Sequence, residues 1–210
     1  MTEHKGWNSR GYLPHLDAAA LTQHVTFRLH GSLPATVVDR LKADGDGAAY
    51  LSAIDEELDR GLGAVWLADP DCAAIVAEAL GRFDGQRYDL LAWCVMPNHV
   101  HVLIRQVESR PLGAVVKSWK SYTARMINRR LERQGPFWAA DYFDRRVRDE
   151  DQMIGVIRYI EANPVKAGLC ARPEDWSFSS ASRERGPPGP QSQAHRHADR
   201  EVRAPSIPHR

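Results

Sequence analysis

Residues 97–104 read Pro-Asn-His-Val-His-Val-Leu-Ile, an alternation of histidine with branched apolar residues that is typical of a β-strand. Successive side chains of a strand point to opposite faces, so His99 and His101 share one face and Val100 and Val102 share the other. Two residues along a strand span about 6.6 Å, close enough for two imidazoles to bind one cation. The stretch therefore predicts either a metal platform or two polar residues on a solvated strand face.

The flanking segments predict an antiparallel sheet with helices packed against it. An apolar strand over about residues 87–96 precedes the histidine strand, and the turn at 96–98 makes the two a hairpin. A first strand covers about 21–30, and a short strand lies near Val147. Helical periodicity covers about 34–60 (with a break at 44–47), 70–83, 111–133 and 149–162, the last of these ending before Pro164. This order predicts an α+β fold with helices on one face of the sheet and the other face left for a ligand.

The composition is that of an ordinary globular protein, with 43% hydrophobic and 26% charged residues. No apolar run approaches the roughly 18 residues of a membrane span, and the first residues lack the apolar core of a signal peptide. The cysteines, Cys72, Cys94 and Cys170, are odd in number, widely spaced and set among apolar neighbours. We therefore expect a cytoplasmic protein without a membrane partner, whose thiols are reduced.

The net charge of +1 conceals an uneven distribution. Residues 1–104 carry 8 Lys and Arg against 14 Asp and Glu, whereas residues 105–148 carry 11 against 4. The basic block follows the histidine strand directly. It predicts either a surface that binds a polyanion such as nucleic acid or a solvated helix face.

The last predicted helix carries Tyr159 and Asn163, which are four residues apart and therefore share one face. A divalent cation held by His99, His101 and the side-chain oxygen of Asn163 would leave positions open for a phosphate oxygen. The phenol of Tyr159 could then attack phosphorus and form a phosphotyrosine ester. The alternative is that Tyr159 is a core aromatic residue and that Asn163 only ends the helix.

Three further motifs combine with the histidine strand in one order along the chain. Residues 92–101 read AWCVMPNHVH, residues 135–138 read GPFW, residues 159–169 read YIEANPVKAGL, and residues 176–180 read WSFSS. In these motifs the chain resembles the HUH single-tyrosine transposases, and among them the REP-associated tyrosine transposases. The resemblance as a whole covers about residues 20–182. The histidine motif alone is a weak signal, but with the downstream tyrosine motif it is specific.

The resemblance implies a ferredoxin-like βαββαβ sheet as the HUH endonuclease core, with Mg²⁺ or Mn²⁺ as cofactor. It implies a DNA transposase that binds single-stranded, hairpin-bearing REP-like DNA and cleaves and rejoins it through a 5′-phosphotyrosine. It places the metal ligands at His99 and His101 and the nucleophile at Tyr159. Transposon-borne relatives have Gln four residues after the tyrosine where this chain has the shorter Asn163, the expected third ligand. The REP-associated branch is expected to act as a monomer.

The expected division of the chain is an N-terminal arm (1–18), a catalytic domain (19–183) and a disordered tail (184–210). Within the catalytic domain, a helical insertion at about 34–85 exceeds the minimal family version and has no assigned role. Two alternatives to the transposase stay open. One is a domesticated protein that binds DNA hairpins without cutting them, and the other is a metal-dependent phosphodiesterase that uses an activated water.

Basic side chains in and after the long helix are expected to neutralise DNA phosphates. These are Lys117, Lys120, Arg125, Arg129, Arg130, Arg145, Arg146 and Arg148. Trp138 and Tyr142 could stack on unpaired bases or belong to the core. Tyr122 is a rival nucleophile, although its position on the apolar stripe of the helix favours the core. Cys94 is expected to be buried and inert, and His24 is expected to be ordinary.

Overall fold

From Thr22 onward the strands and helices follow the predicted order, whereas the two strands before it, Gly6–Ser9 and Pro14–Asp17, were not predicted. The computed structural model describes residues 6–9, 14–17, 20–43, 47–107 and 110–182. The strands are β1 (Gly6–Ser9), β2 (Pro14–Asp17), β3 (Thr22–Arg28), β4 (Tyr88–Val95), β5 (His99–Gln106) and β6 (Phe143–Val147). The helices are α1 (Ala35–Ala43), α2 (Gly47–Asp59), α3 (Pro70–Gly81), α4 (Leu112–Arg130) and α5 (Glu150–Lys166). The expected tail and part of the expected N-terminal arm lie outside the described residues.

Four strands form one antiparallel sheet in the order β4-β5-β3-β6, and β1 pairs with β2 in a separate hairpin. Helices α1, α2 and α3 connect β3 to β4, and α4 connects β5 to β6. These connections and this strand order are those of a βαββαβ ferredoxin-like sheet. The predicted α+β fold is therefore confirmed.

The larger core lies between the sheet and helices α3 and α4. Alternate residues of the central strands supply it from the sheet side, among them Val25, Phe27, Val100, Val102 and Ile104. Trp138 and Tyr142 are buried in the same cluster, so of the two interpretations open for these aromatics the structure shows the core. None of the described helices combines the length and apolar composition that crossing a membrane requires.

The opposite face of the sheet, which the sequence pattern left open for a ligand, is shared by α5. Ile160 of α5 is fully buried against Ala92, Cys94 and Leu103 of the sheet. Because His99 and His101 alternate with the core residues of β5, they lie on this second face as well. Helix α5 therefore lies over the same face that carries the histidines.

The predicted end of the last helix was wrong, because α5 continues through Pro164 to Lys166. Proline has a helical φ, and what it removes is the single hydrogen bond that its N–H would have made to the carbonyl of Ile160. Two residues after the helix ends, Gly168 has a φ of 71°, which is in the left-handed region that favours glycine and reverses the chain. The extra turn brings Lys166 over the site described below.

Lys120 ties α4 to the segment that leads into β6. Its ammonium group donates hydrogen bonds to the carbonyl oxygens of Ala139 (2.7 Å), Ala140 (3.0 Å) and Asp141 (3.2 Å). Burial lowers the pKa of Lys120 to about 8, and the negative charge of Asp141 opposes part of this shift. This lysine, expected from the sequence to bind DNA phosphate, uses its donors within the fold.

We predict that Lys120 makes the free energy of unfolding depend on pH in the alkaline range. Between the folded pKa of about 8 and the unfolded value of 10.5, the unfolded chain binds more protons than the folded protein. Stability should therefore rise with pH in this window, by up to about 1.4 kcal/mol per pH unit.

The measurement is urea unfolding of the wild type and of Lys120→Met at several pH values from about 7 to about 10.5. The thiol and phenol groups that titrate in this range are the same in both proteins, so the difference between them reports on Lys120. We expect the wild type to gain stability relative to the variant as pH rises above about 8. A difference that stays constant with pH would contradict the prediction.

Candidate active site

Two buried imidazoles face each other at the centre of the second sheet face. His99 and His101 are both 0% exposed, and their Nε2 atoms are 2.9 Å apart. Their ring planes are perpendicular, with centroids 4.7 Å apart. The strand alternation predicted this shared face, and the structure shows that the two nitrogens converge.

A hydrogen-bond relay from α2 determines the tautomer of His99. The Asn98 amide nitrogen donates to the carbonyl oxygen of Leu58, near the end of α2, at 2.7 Å. The Asn98 Oδ1 is therefore the atom that faces His99 Nδ1, also at 2.7 Å. Because an amide oxygen only accepts, His99 Nδ1 carries the proton and Nε2 carries the lone pair.

His101 is held from the neighbouring strand β3. The antiparallel register places Thr26 directly opposite His101, and the Thr26 hydroxyl lies 3.0 Å from His101 Nδ1. The Nε2 of His24 lies 3.2 Å from the same nitrogen. When His101 Nδ1 holds the proton, its Nε2 lone pair points at that of His99, an arrangement that a shared cation stabilises. When Nε2 holds the proton instead, His101 donates to His99.

Burial keeps all three imidazoles neutral. It is the main cause that lowers the pKa of His101 to about 3, with a contribution from Lys166. The pKa of His99 lies well below its ordinary value for the same reason, together with repulsion from His101. Burial and His101 lower the pKa of His24 to about 3. Neutral imidazole is the form that binds metals, so the chemistry of this cluster fits a cation.

Helix α5 places Tyr159 beside the histidines. The Tyr159 ring centroid lies 5.7 Å from that of His101 and 5.9 Å from that of His24, both edge to face. Its hydroxyl donates a 2.6 Å hydrogen bond to Oδ2 of Asp55 in α2. Burial, followed by the charge of Asp55, raises the pKa of Tyr159. The tyrosine and the histidines were predicted from separate segments of the sequence, and in the structure they lie side by side.

Asn163 has one satisfied and one unsatisfied side-chain atom. Its amide nitrogen donates to the carbonyl oxygen of Tyr159 at 2.9 Å, and the residue is 1% exposed. Its Oδ1 is buried and accepts no hydrogen bond from any described residue. Leaving a buried acceptor without a partner costs about 1–3 kcal/mol. An oxygen in this condition fits a cation ligand better than a helix terminator.

The described residues contain no group of three or more His, Cys, Asp or Glu side chains arranged to hold a metal. The donor set offered here is different, because its third member would be the amide oxygen of Asn163. Imidazole nitrogens together with an amide oxygen suit a divalent cation of moderate hardness. Of the two ions that the family resemblance implies, these donor types fit Mn²⁺ better than the harder Mg²⁺.

A groove of about 510 Å³ opens beside Tyr159. Two cations, Arg145 and Lys166, and three acids line it together with His24, Thr26 and Tyr159; the acids are Asp55, Glu56 and Asp144. Arg145 is the residue opposite His24 in the β3–β6 register. Lys166 lies 3.3 Å from a carboxylate oxygen of Asp59, a contact that joins α5 to α2.

Four residues of this site were not expected from the sequence: His24, Thr26, Asp55 and Lys166. The first two alternate in β3 as His99 and His101 do in β5, so the pairing of the two strands was the signal that could have found them. Lys166 was not expected because the helix was predicted to end at about residue 162, before Lys166. Asp55 had no signal, because nothing in the sequence shows which face of α2 meets α5.

The basic residues expected to contact DNA are distributed over both sides of the sheet. Those of α4 lie with their helix on the valine face, away from the histidines. Lys117, Arg125, Arg129 and Arg130 are exposed, as are Arg145, Arg146 and Arg148 around β6. Arg130 contacts the carboxylates of Asp69 and Asp71.

The two other reactive side chains considered in the sequence lie apart from this cluster. Tyr122 is half-buried on α4, and α4 packs on the opposite face of the sheet from His99 and His101. Cys94 is fully buried in the core under α5, and burial raises the pKa of its thiol. All three cysteines are free.

The segment that carries this site is similar to known proteins. A family model described as "Transposase IS200 like" matches residues 70–163, the segment that contains both histidines, Tyr159 and Asn163. A protein from Haemophilus influenzae named as a REP-associated tyrosine transposase is 26% identical over 107 residues. That alignment covers 46% of this chain and 61% of the relative, so the chain spans less than two thirds of the relative's length.

A solved structure has a similar fold. It is titled as a REP-associated tyrosine transposase bound to a REP hairpin, and the match has a TM-score of 0.53 at 17% identity. It covers 87% of this chain and 84% of that one. The resemblance drawn from the motifs is confirmed: the segment that carries the histidine pair and the tyrosine matches the model of the IS200-like transposases, and the curated relative is a REP-associated tyrosine transposase by name.

Proposed function

We propose that this protein is a metal-dependent DNA strand transferase that cleaves and rejoins single-stranded hairpin DNA through Tyr159. One observation carries the proposal. The phenol of Tyr159 lies against a buried pair of neutral imidazoles whose Nε2 atoms are 2.9 Å apart. A core tyrosine has no need of such neighbours, whereas a tyrosine nucleophile needs a centre that activates phosphate beside it.

The ion would be held by His99, His101 and the unsatisfied oxygen of Asn163. Mg²⁺ or Mn²⁺ bound there would withdraw charge from a phosphate group and stabilise the additional negative charge of the transition state. The relay from Leu58 through Asn98 keeps the His99 lone pair available for this purpose. When the Thr26 hydroxyl accepts a hydrogen bond from His101 Nδ1, it likewise keeps the Nε2 lone pair of His101 available.

Tyr159 is the nucleophile in this proposal. Its phenol oxygen attacks phosphorus, and the bond from phosphorus to the 3′-oxygen breaks, which leaves the DNA 5′-phosphate joined to the protein and a free 3′-hydroxyl. The phosphotyrosine ester conserves the energy of the broken bond. A 3′-hydroxyl from another DNA end can therefore reverse the step and complete strand transfer.

DNA would reach Tyr159 from two grooves that share Phe143 as a lining residue. The larger groove, of about 970 Å³, is lined by Arg28 and Lys117, and the groove of Tyr159 is lined by Arg145 and Lys166. A strand that passes Phe143 would keep its phosphates near these cations. We extend the named ligand of the solved relative, a REP hairpin, to this chain on that basis.

We propose that the remaining exposed basic residues of the expected set extend the contact with the hairpin. Their phosphate contacts would give affinity that falls with salt and carries no base preference. We also propose that the protein acts as a monomer. His101 and Tyr159 meet within one chain, and Asn163 lies one helical turn beyond Tyr159, so the proposal needs no second subunit.

We predict that Tyr159→Phe abolishes the covalent adduct between protein and DNA. The assay incubates a labelled single-stranded hairpin oligonucleotide with Mn²⁺ and the protein, and denaturing gel electrophoresis then resolves free DNA, cleaved DNA and adduct. Loss of the phenol oxygen removes the attacking atom but little contact area, so hairpin affinity should be unchanged. The matched control is Tyr122→Phe, which should form adduct at the wild-type rate.

Two outcomes of this assay would contradict the proposal. Cleaved DNA without adduct that persists in Tyr159→Phe would show a phosphodiesterase that uses activated water. Hairpin binding by the wild type with neither cleavage nor adduct would show a protein that only binds.

A second prediction concerns the metal alone, measured by calorimetric titration of Mn²⁺ into DNA-free protein. We expect binding by the wild type and its loss in His99→Ala and in His101→Ala. Asn98→Ala should weaken binding by about 10–100-fold, because the His99 tautomer is no longer held. The exposed His30 supplies the control, and His30→Ala should bind as the wild type does. Equal binding by His99→Ala and the wild type would remove the histidine pair from the metal site.

A further inference from the structure

Helix α2 lines the site together with the sheet and α5, although it lies outside the segment that matches the transposase family. The family match begins at residue 70, and α2 ends at Asp59. Three contacts join the helix to the site. They are Asp55 with Tyr159 at 2.6 Å, the carbonyl of Leu58 with Asn98 at 2.7 Å, and Asp59 with Lys166 at 3.3 Å. The insertion that had no role in the sequence therefore contacts the tyrosine helix and the histidine strand.

Apolar contacts hold helix α2 in place. Ile54 and Leu58 of α2 are almost fully buried in a small core with Leu33 and Phe143. Asp55 follows Ile54 in the helix and is itself only 8% exposed. Its carboxylate is thus held against the tyrosine by a packed helix, and its position does not depend on a free side chain finding its partner.

We infer that Asp55 is the general base of the tyrosine reaction, the group that takes the phenol proton during cleavage and returns it during rejoining. The inference rests on the proposed function. It follows from contact with the reacting atom itself, since Asp55 Oδ2 accepts its 2.6 Å hydrogen bond from the oxygen that would attack phosphorus. A base must lie within about 2.6–3.2 Å of the proton donor, and Asp55 meets this requirement before any substrate is bound.

Asp55 takes the phenol proton in one direction of the reaction and returns it in the other. In cleavage, the Tyr159 O–H bond breaks and its proton passes to Asp55, the phenol oxygen bonds to phosphorus, and the 3′-oxygen leaves with its electron pair and takes a proton from water. In rejoining, a 3′-hydroxyl loses its proton to water and attacks phosphorus. The bond from phosphorus to the phenol oxygen then breaks, and Asp55 returns the proton to Tyr159.

The surroundings of Asp55 favour this role over that of a plain structural acceptor. Burial is the main cause that raises the pKa of the Asp55 carboxyl, which makes it a stronger base than an exposed aspartate. A phenol has an ordinary pKa of about 10, so little of it is phenolate at neutral pH. A tyrosine in that state reacts efficiently only when a neighbouring group removes its proton as the new bond forms.

The test compares rates of adduct formation in single turnover, with saturating labelled hairpin DNA and Mn²⁺. Asp55→Asn keeps the size of the side chain and an oxygen that can accept from Tyr159, but it is not a base. We expect its rate to fall by about 10²–10⁴-fold with hairpin affinity unchanged. The matched control is Glu78→Gln, an exposed acid on α3 that lines neither groove, which should react at the wild-type rate.

Rescue separates a catalytic role from a structural one. Asp55→Ala leaves space for a small carboxylate, so added formate should restore its rate in proportion to formate concentration, whereas chloride at equal ionic strength should not. Thermal unfolding of each variant is measured first. If Asp55→Asn fails to fold, Asp55→Glu replaces it, and its displaced carboxylate should lower the rate while leaving hairpin affinity unchanged.

The outcomes distinguish this inference from the proposed function. A wild-type protein that forms no adduct would overturn both. A wild type that forms adduct, together with a folded Asp55→Asn of equal or greater rate, would overturn the inference alone. An increased rate would in addition show that Asp55 restrains the tyrosine.

Discussion

The convergence of His99 and His101 is the constraint on which the rest of the site depends. Two imidazole nitrogens 2.9 Å apart in a dry interior are stable only if a proton or a cation lies between them. Their positions follow from the register of β5 against β3, which puts Thr26 opposite His101, and from the turn that puts Asn98 beside His99. A one-residue shift of that register would turn both rings into the valine core. The strand pairing and the chemistry are therefore determined together.

Packing on the two sides of the sheet follows from the same alternation. The residues between the histidines, Val100 and Val102, belong to the core under α3 and α4. The histidine face has apolar residues mainly toward β4, where Ile160 of α5 covers them. Tyr159 directly precedes this buried anchor in the helix, so the packing of α5 is also what presents the tyrosine to His101. Helix α2 closes the remaining side through Ile54 and Leu58.

Sequence reasoning reached the parts of this arrangement that are local in the chain. Period-two alternation predicted β3 and β5, period-3.6 patterns predicted the helices, and the four-residue spacing predicted that Tyr159 and Asn163 share a face. It did not reach contacts that depend on how separate elements dock. His24 looked ordinary because its partner His101 is 77 residues away, and Asp55 was invisible because its partner Tyr159 is 104 residues away. The helix end predicted at Pro164 was wrong for a physical reason, because a proline near a helix end costs one hydrogen bond and need not end the helix.

The wide separation of the site residues along the chain has a consequence for how activity arises during folding. Asp55, the histidine pair and Tyr159 come from three segments, and each contact between them closes a long loop. Such contacts form late, because the entropy of loop closure must be overcome before they contribute stability. A partly folded or truncated chain can hold the histidine hairpin and the α5 helix without bringing the phenol to its carboxylate. Tyr159, the proposed nucleophile, thus acquires its surroundings only when the last elements dock.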